Sequence, residues 1–251
     1  MQYFNLTGQT AVVTGAGRGL GQAMAVGLAE AGADVALLQR SSAGLETRER
    51  IQALGRRCEI VPCDLSDMQQ VKGALNQVDA LFGKIDILVN NGGIQRRAPA
   101  VDFSEQDWDD VLDVNLKSVF LLCQEAGRRM IRGGRGKIIN IASLLSFQGG
   151  ITVPAYAAAK GGVMQLTKAL SNEWAGLGIN VNAIAPGYMD TDMNTALKHN
   201  ETRSRQIMER IPAERWGRAE DMVGAVIYLA SPASDYVHGH VLAVDGGWLG
   251  R

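Results

Sequence analysis

Seven short apolar runs punctuate the chain: Ala11–Thr14, Asp34–Leu38, Glu59–Pro62, Ile85–Asn90, Lys137–Ala142, Asn180–Ala185 and Val241–Val244. Between them lie stretches of helical character, Gly19–Ala31, Ala43–Leu54, Met68–Phe82, Gln106–Ile131 and Ala155–Ala175. The short runs predict strands and the longer stretches predict helices. Strands that are apolar throughout must be covered on both faces. The alternation therefore predicts an α/β fold, a doubly wound parallel sheet whose ligands sit at the carboxyl ends of its strands. No element is predicted between Pro186 and Val241.

Length and charge narrow the class. The 251 residues are 46% apolar, enough for the core of one α/β domain, and no repeat, low-complexity tract or linker divides residues 1–251. The formal net charge is −1 with no basic run, which argues against nucleic acid as a partner. No apolar stretch approaches the roughly 18 residues of a membrane span. The opening MQYFNLTGQ lacks the basic-then-apolar order of a secretion signal. Cys58, Cys63 and Cys123 are odd in number, and neither they nor His199, His238 and His240 have metal-ligand spacing. The expectation is a cytoplasmic protein without a metal site.

The first strand runs into Thr14-Gly15-Ala16-Gly17-Arg18-Gly19-Leu20-Gly21. Glycines between a strand and a helix permit a tight turn and bring a pyrophosphate against the amides and positive end of that helix. The spacing departs from the usual dinucleotide fingerprint, in which a carboxylate about twenty residues on holds the ribose hydroxyls of NAD. That place reads Gln39-Arg40-Ser41-Ser42 here. Arg18 and Arg40 without a carboxylate favour a 2′-phosphate, hence NADP(H); NAD(H) stays open if both arginines are surface residues.

A second group of residues carries proton chemistry. Ser143 follows the fifth strand, and Tyr156 and Lys160 are spaced to share one helix face. A phenol beside a fixed ammonium is expected to lose its proton below the usual value of about 10, which suits a general acid or base. Ser143 could orient a carbonyl or hydroxyl for the same transfer.

With Asn90-Asn91-Gly92-Gly93, Asn115 within Asp113–Ser118, and Pro186-Gly187, these motifs stand in an order that resembles the short-chain dehydrogenase/reductase family over essentially the whole chain. The resemblance implies a single Rossmann-fold domain and a catalytic tetrad of Asn115, Ser143, Tyr156 and Lys160. Tyr156 would exchange the proton, Ser143 would hold the substrate oxygen, and Lys160 would bond the nicotinamide ribose. Asn115 would kink its helix and hold a water in the proton relay. The cofactor would meet Gly15, Gly17, Arg18, Gly19, Leu20 and Gly21, then Gln39 and Arg40. Asp64 and Leu65 would lie by the adenine, Asn91, Gly92 and Gly93 by the adenosine ribose, and Pro186, Gly187, Met189 and Thr191 by the nicotinamide amide. The family usually has alanine at position 92, so the turn is expected to be slightly looser here.

The segments Ile138–Tyr156, Asn172–Met193, Arg210–Arg218 and Ser234–Arg251 resemble the branch of the family that acts on sugar acids. Arg96 and Arg97, after the fourth strand, could then hold a substrate carboxylate bidentately or simply be solvated. Gln148 and Tyr188 could bond sugar hydroxyls. The alternative is a 3-oxoacyl-carrier-protein reductase or another carbonyl reductase; a basic docking surface for an acidic carrier does not stand out in the sequence. A non-catalytic nucleotide sensor would have no need of Ser143, Tyr156 and Lys160 together. Val111, Val114, Val119, Leu122 and Ala126 on one long helix, with Val163, Leu166, Leu170 and Trp174 on another, exceed one narrow stripe. They and the apolar end Val241–Arg251 suggest a homotetramer of twofold contacts, which the resemblance also implies.

Overall fold

The structure is a computed structural model that describes residues 2–40 and 44–251. Its strands are β1 (Thr10–Thr14), β2 (Asp34–Gln39), β3 (Cys58–Pro62), β4 (Ile87–Asn90), β5 (Gly136–Ile141), β6 (Ile179–Pro186) and β7 (Val241–Val244). They form one parallel sheet in the order β3-β2-β1-β4-β5-β6-β7. The chain winds outward from β1 to β3, then crosses back to β4. The loops after β1 and β4 therefore part in opposite directions, and a crevice opens at the carboxyl end of the sheet between them.

The helices are α1 (Gly19–Glu30), α2 (Leu45–Ala53), α3 (Met68–Phe82), α4 (Glu105–Leu112), α5 (Ser118–Gly133), α6 (Pro154–Trp174), α7 (Thr195–His199), α8 (Glu201–Arg210) and α9 (Val223–Ala230). Alternate strand residues point to opposite faces, so each strand feeds two cores. Val13, Leu37 and Ile139 pack with Met24, Leu28 and Val226 on one side. Val12, Leu38 and Ile138 pack with Leu75, Leu122 and Val163 on the other.

Three expectations are modified. The rod expected over Gln106–Ile131 is α4 and α5 joined by a π-helical turn, Asp113–Lys117, that contains Asn115. The helices α7, α8 and α9 occupy the stretch between Pro186 and Val241, where the sequence predicts no element. Their signals are weak: α8 buries only Ile207, and α9 is too apolar to show a polar face. The residues expected at a subunit seam mostly serve the chain's own core. Val111, Val114, Val119, Leu122, Ala126, Val163 and Leu170 are all buried, as is Trp248 near the C-terminal end. The positions Ser41, Ser42 and Ala43 lie outside the described residues.

Candidate active site

The glycine turn and the loop after β4 touch through backbone. A Cβ on Gly15, which has φ of 63°, would stand 2.8 Å from the Cα of Gly92, and one on Gly21 would stand 2.3 Å from the carbonyl oxygen of Gly15. No side chain fits at either place, so the amides at the start of α1 face an open groove. The Thr14 hydroxyl accepts from the backbone N–H groups of Asn91 (2.9 Å) and Gly92 (2.8 Å), and Asn91 Nδ2 donates to the carbonyls of Thr14 and Gly15. Asn91 thus ties the two loops together with its amide nitrogen.

The groove has a volume of about 380 Å³ and is lined by Gly15, Arg18, Gly19, Leu20, Gly21, Gln39, Arg40, Asp64, Leu65, Asn91, Gly92, Gly93 and Thr191. It can hold a dinucleotide. Besides the side-chain-free cradle, Gln39 is 7% exposed and, among the described residues, neither its amide nitrogen nor its oxygen has a partner. Buried polar atoms are rarely left so, and these two belong to a groove-lining residue where an adenosine ribose would lie. The space of the missing alanine methyl at Gly92 is filled: a Cβ there would come 2.4 Å from Leu65 Cδ1. The turn is packed by a neighbour and is not looser.

Arg18 is not idle. It pairs with Asp192 at 2.8 Å across the groove, with the side chains 82% and 71% exposed. An exposed pair contributes at most about 1 kcal/mol, less than the about 1.5–3 kcal/mol of a hydrogen bond to a charged group. A phosphate would therefore win Arg18 from Asp192. Gly17 and Met189 do not line the groove. The Met189 side chain is buried against Gly217, so only its backbone is available to a ligand.

The groove continues into a cavity of about 430 Å³ that is lined by Ser143, Tyr156, Lys160, Pro186 and Gly187. Pro154 starts α6, its fixed φ suited to the first helical turn, and sets Tyr156 and Lys160 at the cavity floor. Thr152 precedes it with φ of 63°, a strained value for a β-branched residue, and its carbonyl accepts from the N–H of Ala98. That bond seats the loop carrying Arg97 against the start of α6. The Lys160 ammonium donates to the Ile141 carbonyl at 2.5 Å and stands 5.7 Å from the Tyr156 ring centroid.

Here the expected direction for the phenol is reversed. Burial pushes the Tyr156 hydroxyl up from its usual value, while its hydrogen bond with Ser143 and the charge of Arg97 pull the other way. Burial also lowers the Lys160 ammonium to about 8, with no compensating carboxylate. Desolvation decides the direction, and the opposing pull comes from Ser143 and Arg97 rather than from the lysine, the one influence that the spacing of the two residues brings to view.

Asn115 does not line the cavity. Its Oδ1 accepts from the N–H of Ile94 and its Nδ2 donates to the Ile94 carbonyl, both at 2.8 Å. The amide clamps the loop after β4 to the π turn.

The arginine pair separates. Arg97 lines the cavity and donates to Gln95 Oε1, whereas Arg96 pairs with Asp107 at 3.1 Å and does not line it. Gln148 and Tyr188 line the cavity as expected. The wall formed by α8 and Trp248 is not foreseen from the sequence. Arg203, Gln206, Ile207 and Arg210 recur at helical spacing on one face of α8 and all line the cavity. Ile207 and Trp248 pack with Leu144 beneath that wall, and Tyr188 stacks near the rings of Trp216 and Trp248. Among the described residues, the charged ones of the cavity lining are Arg97, Lys160, Arg203 and Arg210, with no carboxylate.

The family model described as enoyl-(acyl carrier protein) reductase matches residues 15–249. The 2-dehydro-3-deoxy-D-gluconate 5-dehydrogenase of Dickeya dadantii (strain 3937) is 53% identical over 249 residues, covering 99% of this chain and 98% of its own length. The chain belongs to the short-chain dehydrogenase/reductase family. Within it, the 2-dehydro-3-deoxy-D-gluconate 5-dehydrogenase of Bacillus subtilis (strain 168) is 52% identical, covering 99% of this chain and 97% of that protein. A gluconate 5-dehydrogenase from Burkholderia cenocepacia J2315, solved in complex with NADP and tartrate, superimposes with a TM-score of 0.96 at 43% identity, over 100% of this chain and 98% of that one. Among the described residues no helix is long and apolar enough to cross a membrane, and no cluster could hold a metal ion.

Proposed function

We propose that this short-chain dehydrogenase/reductase uses NADP(H) to interconvert a hydroxyl and a carbonyl on a keto-deoxy sugar acid of the kind produced by uronate breakdown. The observation that carries the reading is the convergence of Ser143, Tyr156 and Lys160 on a cavity whose charged lining is wholly cationic. Such a lining suits a small organic acid. The relatives named for gluconate derivatives, and the neighbour solved with NADP, support it. Arg97, Arg203 and Arg210 line that cavity while remaining exposed to solvent, where a small anion can reach them.

A nicotinamide held in the groove would supply or accept the hydride. Tyr156 gives or takes the proton at the substrate oxygen, and Ser143 holds that oxygen. Lys160 bonds the nicotinamide ribose and, while charged, favours the tyrosinate. Asn115 holds the π turn and the loop after β4 in register with them. Gly15, Gly19 and Gly21 admit the pyrophosphate, Arg18 and Arg40 hold the 2′-phosphate, and Gln39 meets the adenosine ribose. Asp64 and Leu65 flank the adenine, and Pro186, Gly187 and Thr191 lie by the nicotinamide amide. Gln148 and Tyr188 bond the sugar.

Residues 1–251 work as one cytoplasmic domain, and copies of it form a homotetramer. Trp108 and Phe120, large apolar residues left exposed on α4 and α5, support that assembly. A panel of uronate-derived keto-acids, sugar acids and acyl substrates, each with NADPH or NADP⁺, tests the function. Turnover confined to acyl substrates would reject it.

A further inference from the structure

A sugar-acid cavity, the reading on which this inference rests, still needs a group that recognises the acid. In a substrate oxidised near the end of its carbon chain remote from the carboxylate, the anion lies away from the reacting carbon. Its partner must then stand apart from Tyr156. Arg97 does not meet that condition, because its charge acts on the Tyr156 phenol.

Arg210 does. It closes the cavity-lining face of α8, and its guanidinium lies 4.1 Å above the ring of Trp248. Trp248 is buried with Leu144, Ile207 and Ile211, so the platform under the arginine is fixed. Gln148 Oε1 accepts from both Trp248 Nε1 (3.3 Å) and an Arg210 terminal nitrogen (3.5 Å). With its oxygen engaged on that side, the Gln148 amide has its two N–H donors left for a ligand. Among the described residues Arg210 has no carboxylate partner. Arg203, one face-repeat earlier on α8, spends a nitrogen on Gln206 Oε1.

A guanidinium held over an indole keeps donors free at its edge and loses less rotamer freedom on binding. A stacked, unpaired arginine beside a free amide is a receptor for a planar anion. We infer that Arg210, braced by Trp248 and Gln148, binds the substrate carboxylate and so selects acids whose carboxylate lies across the cavity from the reacting carbon. Arg97 then serves the reacting end.

The test compares 2-dehydro-3-deoxy-D-gluconate with its carboxamide, which keeps the shape and loses the charge. In Arg210→Gln, kcat/KM for the acid should fall roughly 10- to 150-fold, the range of a lost charge-assisted bond, mostly through KM. The value for the carboxamide should change less than about threefold, within the spread of near-neutral surface changes. Arg210→Lys, which keeps the charge but loses the stacked fork, should fall between wild type and Arg210→Gln for the acid alone. The melting temperature and the NADPH Kd of both variants should match wild type, since a merely structural arginine would move the first. Equal losses for acid and carboxamide, or a lowered melting temperature with no selective loss, overturn this inference alone. A wild-type protein that turns over no sugar acid overturns the substrate reading and this inference together.

Discussion

Lys160 gives its ammonium hydrogen to the Ile141 carbonyl and leaves the phenol of Tyr156 without a lysine hydrogen bond. Held there by one carbonyl and almost wholly buried, the ammonium falls from 10.5 to about 8. Between those two pH values the unfolded chain holds a proton that the folded chain has released. Stability contributed by this group therefore rises with pH across that window, and below about pH 8 the full cost of the buried charge applies. That cost is about 3 kcal/mol, offset by about 1 kcal/mol for the bond to Ile141. Lys160→Met should be more stable than wild type by about 2 kcal/mol at pH 7; the advantage should shrink as pH rises from about 8 to 10.5 and reverse to about 1 kcal/mol in favour of wild type above it. Urea midpoints for both proteins across that range decide it. A difference that stays flat with pH would show that Lys160 is not the buried, depressed group described.

Tyr156→Phe removes the proposed proton donor and little else. Turnover should drop by about 10²–10⁴-fold, while the melting temperature and NADPH affinity stay near wild type. Fluorescence titration with NADPH beside steady-state kinetics separates the two. Near-normal turnover in the variant would remove Tyr156 from the mechanism.

Arg40→Asp should turn the cofactor preference from NADPH toward NADH, because a carboxylate there repels the 2′-phosphate and can accept from ribose hydroxyls. Arg18 would be left as the only arginine of the pair, already drawn to Asp192. The ratio of kcat/KM for the two cofactors is the readout. The same ratio in variant and wild type would make Arg40 a surface charge.

Gly92→Ala should raise the KM for cofactor several-fold, since the new methyl displaces Leu65 from the groove wall. Adding Leu65→Ala should return much of the loss, a coupling expected only of residues in contact. Strictly additive effects would place the harm of the methyl elsewhere.

Static light scattering at micromolar concentration should report four copies of the chain. A monomer would reject the assembly. A dimer would leave one contact, and Trp108→Ser or Phe120→Ser would show whether α4 and α5 form it.

The parallel sheet and the glycine turn are legible in the sequence because each repeats a local rule: apolar strands, amphipathic helices, glycine where no side chain fits. Ser143, Tyr156 and Lys160 are legible from spacing within one segment. Arg210 is not, because its meaning comes from Trp248 and Gln148, both far from it in the chain. Arg96 and Arg97 look alike as a pair, and only the position of Asp107 tells them apart. The direction of the Tyr156 shift also escapes, since a sequence shows which charge is nearby but not how much water has been excluded.

The cavity without a carboxylate has a consequence for competition. A field of one sign draws in any small anion, including product, phosphate and the many organic acids dissolved in a cell. Attraction alone cannot sort them. Selection then falls to the shape of the cavity between Tyr156 and Trp248, and the apparent KM should climb with the concentration of whatever anion buffers the assay.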